Sequence, residues 1–407
     1  MSSNDYYCAL CGSTFSNYHI AEKPHSAGLR QAFRSSQAKK QALNPARDEG
    51  EGSVQESPTR EVEDDVPVEN DEMYTYDPSI ISREDAKWVY DLQCLGINTA
   101  TEVPMKGFVS NISHQSTYGM IEVHDHDDED IFASDYFSAY HDTTNSGKKV
   151  YPFHPNCWDL FKIAFEYYST GEKPVSAVYW FPSLEAASNL DKALLFDVMS
   201  RHGNNQLRRL SGIDYGEPDP PNQARWVARP GEELFLADPT RAREPNKAMI
   251  AEKWSSMPSI NCRPSTYPPQ EIQKIDPFSR LPYELLSMIL SELEASSLIG
   301  LFSASPHVHR VVSDIPLFWL EAMRSSMPWF FEMQEFLDTF SKDRTIKSGA
   351  DLDLNRLRLL CLWANHITTP RVGMTGTFMG IANRRRIWGI CRQLIDKYTS
   401  IISVRRL

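Results

Sequence analysis

No apolar run among the 407 residues approaches the roughly 18 needed to cross a bilayer, so no membrane-spanning helix is expected. The opening Met-Ser-Ser-Asn-Asp-Tyr-Tyr-Cys has no basic stub followed by an apolar stretch, which argues against a secretory leader. Seven cysteines are too few for a chain of this length, and odd in number, so a disulfide scaffold is excluded. The expectation is a soluble, intracellular chain, cytoplasmic or nuclear, whose reduced thiols are available to a metal. The sequence also lacks a phosphate-cradling Gly-rich loop ending in Lys-Ser/Thr, a Gly-x-Gly-x-x-Gly, a Gly-x-Ser-x-Gly and a His-Glu-x-x-His. Gly373, Gly376 and Gly380 are spaced wrongly for a dinucleotide turn. An enzyme is therefore not the first expectation.

What is present is unevenly distributed. Between Arg47 and Glu72 eleven Asp/Glu stand against two Arg, whereas Lys342 to Leu407 carries thirteen Lys/Arg against four Asp. The net charge of −12 thus reports one segment rather than an acidic surface. That segment, about 35–72, is rich in Glu, Ser, Pro and Gln and nearly free of aromatics, a composition that reads as a disordered insertion, with Ser57-Pro58 as a point for phosphorylation.

Order is expected to resume at Tyr74. Ser82, the early acids Glu84 and Asp85, and Trp88, Val89, Leu92 and Leu95 predict a capped amphipathic helix. Tyr118–Val123 and Lys149–Phe153 suit short strands. An apolar helix is predicted from Cys157 and another over Asn189–His202, with Leu190, Leu194, Leu195, Val198 and Met199 inward. Pro-rich joints fall at 216–230 and 264–277, the second resembling a domain boundary. The fold class is accordingly an α+β N-terminal half over 1–265, a small all-α module of three helices over 276–325, and a helical C-terminal segment over 326–407.

Cys8-Ala9-Leu10-Cys11-Gly12 is a two-residue knuckle, a spacing that lets two thiolates share one tetrahedral ion. Its natural complement is His154-Pro155-Asn156-Cys157, which repeats the spacing at the start of a predicted helix, where amide dipoles favour thiolate charge. Cys8, Cys11, His154 and Cys157 would make a closed Cys₃His zinc site of structural type. The alternative is that the cysteines are small buried apolar residues and His154 a hydrogen-bonded core histidine. Cys94, Cys262, Cys361 and Cys391 are isolated and read as core. The run His124 to Asp130, with His126 between acids, offers a second metal set but reads more simply as a solvated loop.

Past the second joint, Pro282 and Glu284 sit where a helix begins, and Leu285, Leu286, Ile289, Leu290 and Leu293 follow at helical spacing. Leu298, Leu301 and Phe302, then Val308, Val311 and Val312, mark two more short helices before Phe318-Trp319. The Leu281-Pro282 opening, the Glu-Leu-Leu and Ile-Leu pairs and the closing Phe318-Trp319 over residues 276–332 resemble an F-box. The flanks, from Cys8–Gly12 and Tyr151–Trp158 to Pro328–Glu332 and Asn383–Trp388, resemble filamentous-fungal F-box proteins. The resemblance implies a subunit that binds the Skp-type adaptor of an SCF ubiquitin ligase, and through it a cullin, and presents a protein substrate, with no catalytic residue of its own. It places the adaptor contact on Leu281, Pro282, Leu285, Ile289, Leu290, Leu293 and Leu298. Alternatives are an F-box scaffold or nuclear factor outside a ligase, and a divergent metalloenzyme using His124 and His126.

Arg384-Arg385-Arg386, amid aromatics, would suit nucleic acid, but the reading preferred here is an amphipathic helix with Met379, Ile387, Ile390, Cys391 and Leu394 inward and the arginines in water. Neither nucleic acid nor membrane is an expected partner.

Overall fold

A computed structural model describes residues 6–28, 31, 35, 74–98, 106–115, 120–123, 135–141, 148–170, 189–204, 209–220, 226–258, 276–342 and 354–405, except 242, 292, 294 and 314–315. The acidic insertion from residue 36 onward, Ser57 included, and His124, His126 and Cys262 lie outside the described residues. The described chain forms two units, one comprising 1–155, 191–238 and 371–376, the other 156–190, 239–370 and 377–407.

The first unit is built on a mixed sheet of six strands: β1 (Gln93–Asn98), β2 (Lys106–Val109), β3 (His114–Gln115), β4 (Met120–Val123), β5 (Asp135–Ala139) and β6 (Lys149–Phe153). Their order is β2-β1-β6-β5-β4-β3. All neighbours are antiparallel except β5 and β6, which pair in parallel through Ser138↔Lys149 and Ala139↔Val150. Helix α1 (Pro155–Thr170) starts directly after β6. Helix α2 (Lys192–His202) lies across β1 and β2. Asp191 caps α2 by accepting from the Leu194 N–H at 3.0 Å, and Leu194, Leu195, Val198 and Met199 are buried, matching the predicted face. At Gly107 of β2 a Cβ would lie 2.3 Å from the Ala193 nitrogen, so only glycine admits this approach. After α2 come the two-residue strands β7 (Gly203–Asn204) and β8 (Arg209–Leu210).

The helix predicted from Ser82 to Leu95 is not formed. Ser82 does cap, its hydroxyl accepting from the Asp85 N–H at 3.1 Å, but only one 3-10 turn, Lys87–Tyr90, follows before the chain enters β1. Cys94, Leu95 and Ile97 are all buried, because β1 is central and covered on both faces. A strand buried on both faces loses the two-residue alternation that would have identified it.

The second unit is helical: α1 from Asn156 onward, α3 (Arg243–Ser256), α4 (Tyr283–Ser291), α5 (Ala295–Ala304), α6 (Pro306–Ser313), α7 (Pro316–Ser326), α8 (Phe331–Lys342), α9 (Leu354–Thr368) and α10 (Met379–Arg405). Phe161, Phe330, Leu337, Leu357, Leu360, Ile381, Ile387 and Leu394 form its core. Among the described residues no helix is long and apolar enough to cross a membrane.

Helix α10 buries the expected apolar residues but not the expected polarity. Arg384 has 0% and Arg386 5% of its surface exposed, so these arginines do not face water. Arg384 forms a two-pronged pair with Glu332 at 2.8 and 3.2 Å, donates to the Pro239 carbonyl at 2.6 Å, and lies 4.7 Å over the Phe331 ring. Arg386 donates to Asn383 Oδ1 from both Nε and Nη2. Helical spacing registers which face a residue occupies; it is blind to a buried carboxylate 52 residues away.

Candidate metal centre and docking face

Residues Tyr7 and Thr14 pair as an antiparallel bridge that closes the knuckle. Within it the Ser13 carbonyl accepts from the Cys8 N–H at 2.9 Å and the Cys8 carbonyl from the Gly12 N–H at 2.7 Å. Gly12 turns the chain at φ +70°, and a Cβ there would meet Pro220 at 2.8 Å and the Tyr215 ring at 2.9 Å. The Ser13 N–H points at Cys11 Sγ, 3.4 Å away. The Ala9 N–H bonds the Pro152 carbonyl of β6 at 2.8 Å, bringing the knuckle beside the strand that leads into His154. Cys157 follows in the first turn of α1, at the positive end of the helix.

The four predicted ligands come together. Cys8, Cys11, His154 and Cys157 are all buried, and their three sulfurs and one ring nitrogen lie within 4.8 Å of one another. Cys11 Sγ is 3.4 Å from His154 Nδ1. Zinc–sulfur and zinc–nitrogen bonds of about 2.3 and 2.0 Å on a tetrahedron put S and N about 3.5 Å apart, so this edge already has the length a metal imposes. His154 Nε2 lies 3.2 Å from the Thr14 carbonyl. A carbonyl only accepts, so a neutral ring keeps its proton on Nε2 and turns the Nδ1 lone pair toward the sulfurs. The ring packs against Phe15 and Trp88, with centroids 4.5 and 4.7 Å away. Burial alone would lower the His154 pKa, but the negative charge of Cys8 and Cys11 outweighs it and pushes the pKa up to about 10. Three sulfurs and one imidazole nitrogen converging among buried residues form a donor set that suits a soft-accepting ion such as zinc. Elsewhere burial pushes the Cys361 thiol up to about 12 and raises that of Cys94, as befits inert core residues.

Two contributors had no sequence signal. Tyr140 donates its hydroxyl to the Tyr7 carbonyl, and Tyr215 donates to the Ala9 carbonyl at 3.1 Å. Both are more than 125 residues from the knuckle, beyond any local pattern.

The helical module begins at Asp276. One carboxylate oxygen accepts from the Phe278 N–H at 3.0 Å and caps the 3-10 turn Pro277–Arg280. The other accepts from the Ser305 hydroxyl at 2.7 Å and the His307 N–H at 3.1 Å, joining this turn to the start of α6. Burial would raise the Asp276 pKa; these three hydrogen bonds outweigh it and hold the carboxyl below its ordinary value. Leu286, Leu290, Leu298, Phe302, Val308, Phe318 and Trp319 fill the interior.

The seven positions proposed to meet an adaptor divide accordingly. Leu290 and Leu298 are buried in the helical core, and Leu281 and Leu293 are half-buried. Pro282 is exposed, with Leu285 at 49% and Ile289 at 40%. Met288, at 65%, and Tyr283, at 44%, extend this stripe although neither was among the seven. The signal was there in principle: 285, 288 and 289 share the three-and-four spacing of one helix face.

No family model, curated protein or solved structure matches the chain.

Proposed function

We propose that this chain is an F-box subunit: α4 docks a Skp-type adaptor, and the remainder carries a protein substrate toward a cullin-bound conjugating enzyme. The observation that carries this reading is the outward face of α4. Leu285, Met288 and Ile289 are exposed on a nine-residue helix whose other apolar face, Leu286 and Leu290, is already committed to a core. A helix with one face in a core and a second apolar face outside is suited to lie in a partner's groove. Such a subunit acts by proximity, raising the concentration of substrate lysines near the charged enzyme. The arginine cluster of α10 gives little support to nucleic-acid binding, because Arg384 and Arg386 are buried against protein acceptors. Within the same reading, Cys8, Cys11, His154 and Cys157 hold one structural zinc, a closed four-ligand set with no position for a water nucleophile.

The test is co-purification of the full chain with a Skp-type adaptor. Wild type should recover adaptor one to one. Leu285→Lys/Met288→Lys should lose it while keeping its circular dichroism, since both side chains are exposed. Failure of the well-folded wild type to recover adaptor would refute the reading. Addition of cullin and the conjugating machinery then separates a ligase subunit from an adaptor-bound scaffold.

A further inference from the structure

The knuckle supplies two sulfurs, while the other two ligands stand more than 140 residues away. Its internal hydrogen bonds shape the turn but do not set its distance from His154 and Cys157. The Ala9 N–H bond to the Pro152 carbonyl ties one point of it to β6, and three carbonyls of the knuckle carry further ties. Those of Tyr7, Ala9 and Thr14 are each engaged by a buried side chain: the Tyr140 hydroxyl, the Tyr215 hydroxyl and the His154 ring.

Tyr140 bridges both ligand pairs. Its hydroxyl holds the Tyr7 carbonyl, next to Cys8, while its backbone N–H bonds the Val150 carbonyl at 3.0 Å, in the strand that leads into His154. It adopts φ +65°, the one non-glycine residue with positive φ among those described, and a conformation that bulky side chains avoid. Strain kept at a single residue, whose hydroxyl meets the knuckle, marks a place where geometry matters more than comfort. Tyr215 has no rotational slack: its hydroxyl donates to the Ala9 carbonyl and accepts from the Leu210 N–H at 3.2 Å. Its ring also lies in the space a side chain on Gly12 would take. Both phenols are buried and donate their hydroxyl protons to these carbonyls.

We propose that Tyr140 and Tyr215 are positioning residues of the metal centre, holding the Tyr7–Thr14 knuckle at the spacing that lets Cys8 and Cys11 meet His154 and Cys157 before an ion arrives. This rests on the metal reading given above. Partners of this kind typically change metal affinity by about 10- to 100-fold.

The experiment is titration of the metal-free full chain with Co²⁺, read by its d–d and thiolate charge-transfer absorption, with Zn²⁺ competition for affinity. Tyr140→Phe and Tyr215→Phe are compared with wild type and with Tyr151→Phe, whose hydroxyl bonds Ser200 instead. Each of the first two should bind about 10- to 100-fold more weakly and shift the cobalt bands, with unchanged circular dichroism. Tyr151→Phe should behave as wild type. Wild-type spectra and affinity in both knuckle variants would overturn the proposal while leaving the metal site standing. A wild type that takes up no cobalt would overturn the metal reading and this proposal with it. An independent check needs no variant: amide exchange of residues 6–14 should stay protected after chelation, and loss of protection on removing the metal would refute a pre-set knuckle.

Discussion

Arg384 and Glu332 illustrate how far a residue's role departs from its type. Both are buried, with two hydrogen bonds between them. Arg384→Met alone strands a carboxylate without water or partner, so urea denaturation should show a loss of about 3–5 kcal/mol, whereas Arg384→Met/Glu332→Leu should recover most of it. Glu232 makes a pH-dependent case. Burial pushes its carboxyl up to about 7, with Arg229 opposing and Glu233 reinforcing. The folded chain therefore holds this proton to a higher pH than the unfolded chain, where the ordinary value near 4.5 applies. Its contribution to stability is intact below about 4.5 and is lost as pH rises through about 7. Glu232→Gln should leave stability nearly unchanged at pH 4.5 and raise it at pH 8, by on the order of 2 kcal/mol, as read from unfolding curves at the two pH values.

At the scale of the element, α4 has two apolar faces with different fates. Leu290→Ala opens a cavity and should cost about 2–5 kcal/mol in chemical denaturation. Leu285→Ala removes an exposed side chain and should change stability by less than about 0.5 kcal/mol, although the proposal gives it an effect on adaptor recovery. Periodicity reported both faces as one broad stripe, because a short helix with an inner and an outer apolar side has no polar gap to mark where one ends. The reverse happened at β1. Trp88, Val89, Leu92 and Leu95 matched a helix by spacing, yet Leu95 pairs with Val109 and Tyr151 inside a sheet. Helix α2 was readable throughout because one face meets the sheet and the other meets water, the condition under which the pattern reports the fold.

At the scale of the whole molecule, each unit collects segments that are distant in sequence. Phe165 of α1 packs edge-on against Tyr398, and the Tyr168 hydroxyl accepts from Trp388 Nε1 at 3.2 Å, so α1 belongs with the C-terminal helices. A fragment of residues 266–407 lacks this helix and should show dispersed, native-like spectra only when residues 1–265 are co-expressed with it. A metal held by Cys8, Cys11, His154 and Cys157 would act at the same scale. Binding to the folded chain alone adds stability by mass action, about 2.7 kcal/mol at 100 times Kd. Strong chelation should lower the melting temperature of wild type, one equivalent of Zn²⁺ should restore it, and Cys157→Ser should respond to neither.

By itself the sequence determined the local features: the knuckle at Cys8 and Cys11, the repeated spacing at His154 and Cys157, the capped helices, and the apolar module after residue 276. Each depends on residues within a turn or two of one another, where spacing dictates geometry. Only the tertiary structure decided that the two cysteine pairs meet, that Tyr140 and Tyr215 brace the knuckle, that Arg384 is buried against Glu332, and that Leu290 lies inward while Leu285 lies outward. The physical reason is common to all four. A hydrogen bond, a ligand edge or a buried pair needs atoms within a few ångströms, and across 50 to 200 residues that proximity comes from the packing of the whole chain rather than from any local pattern.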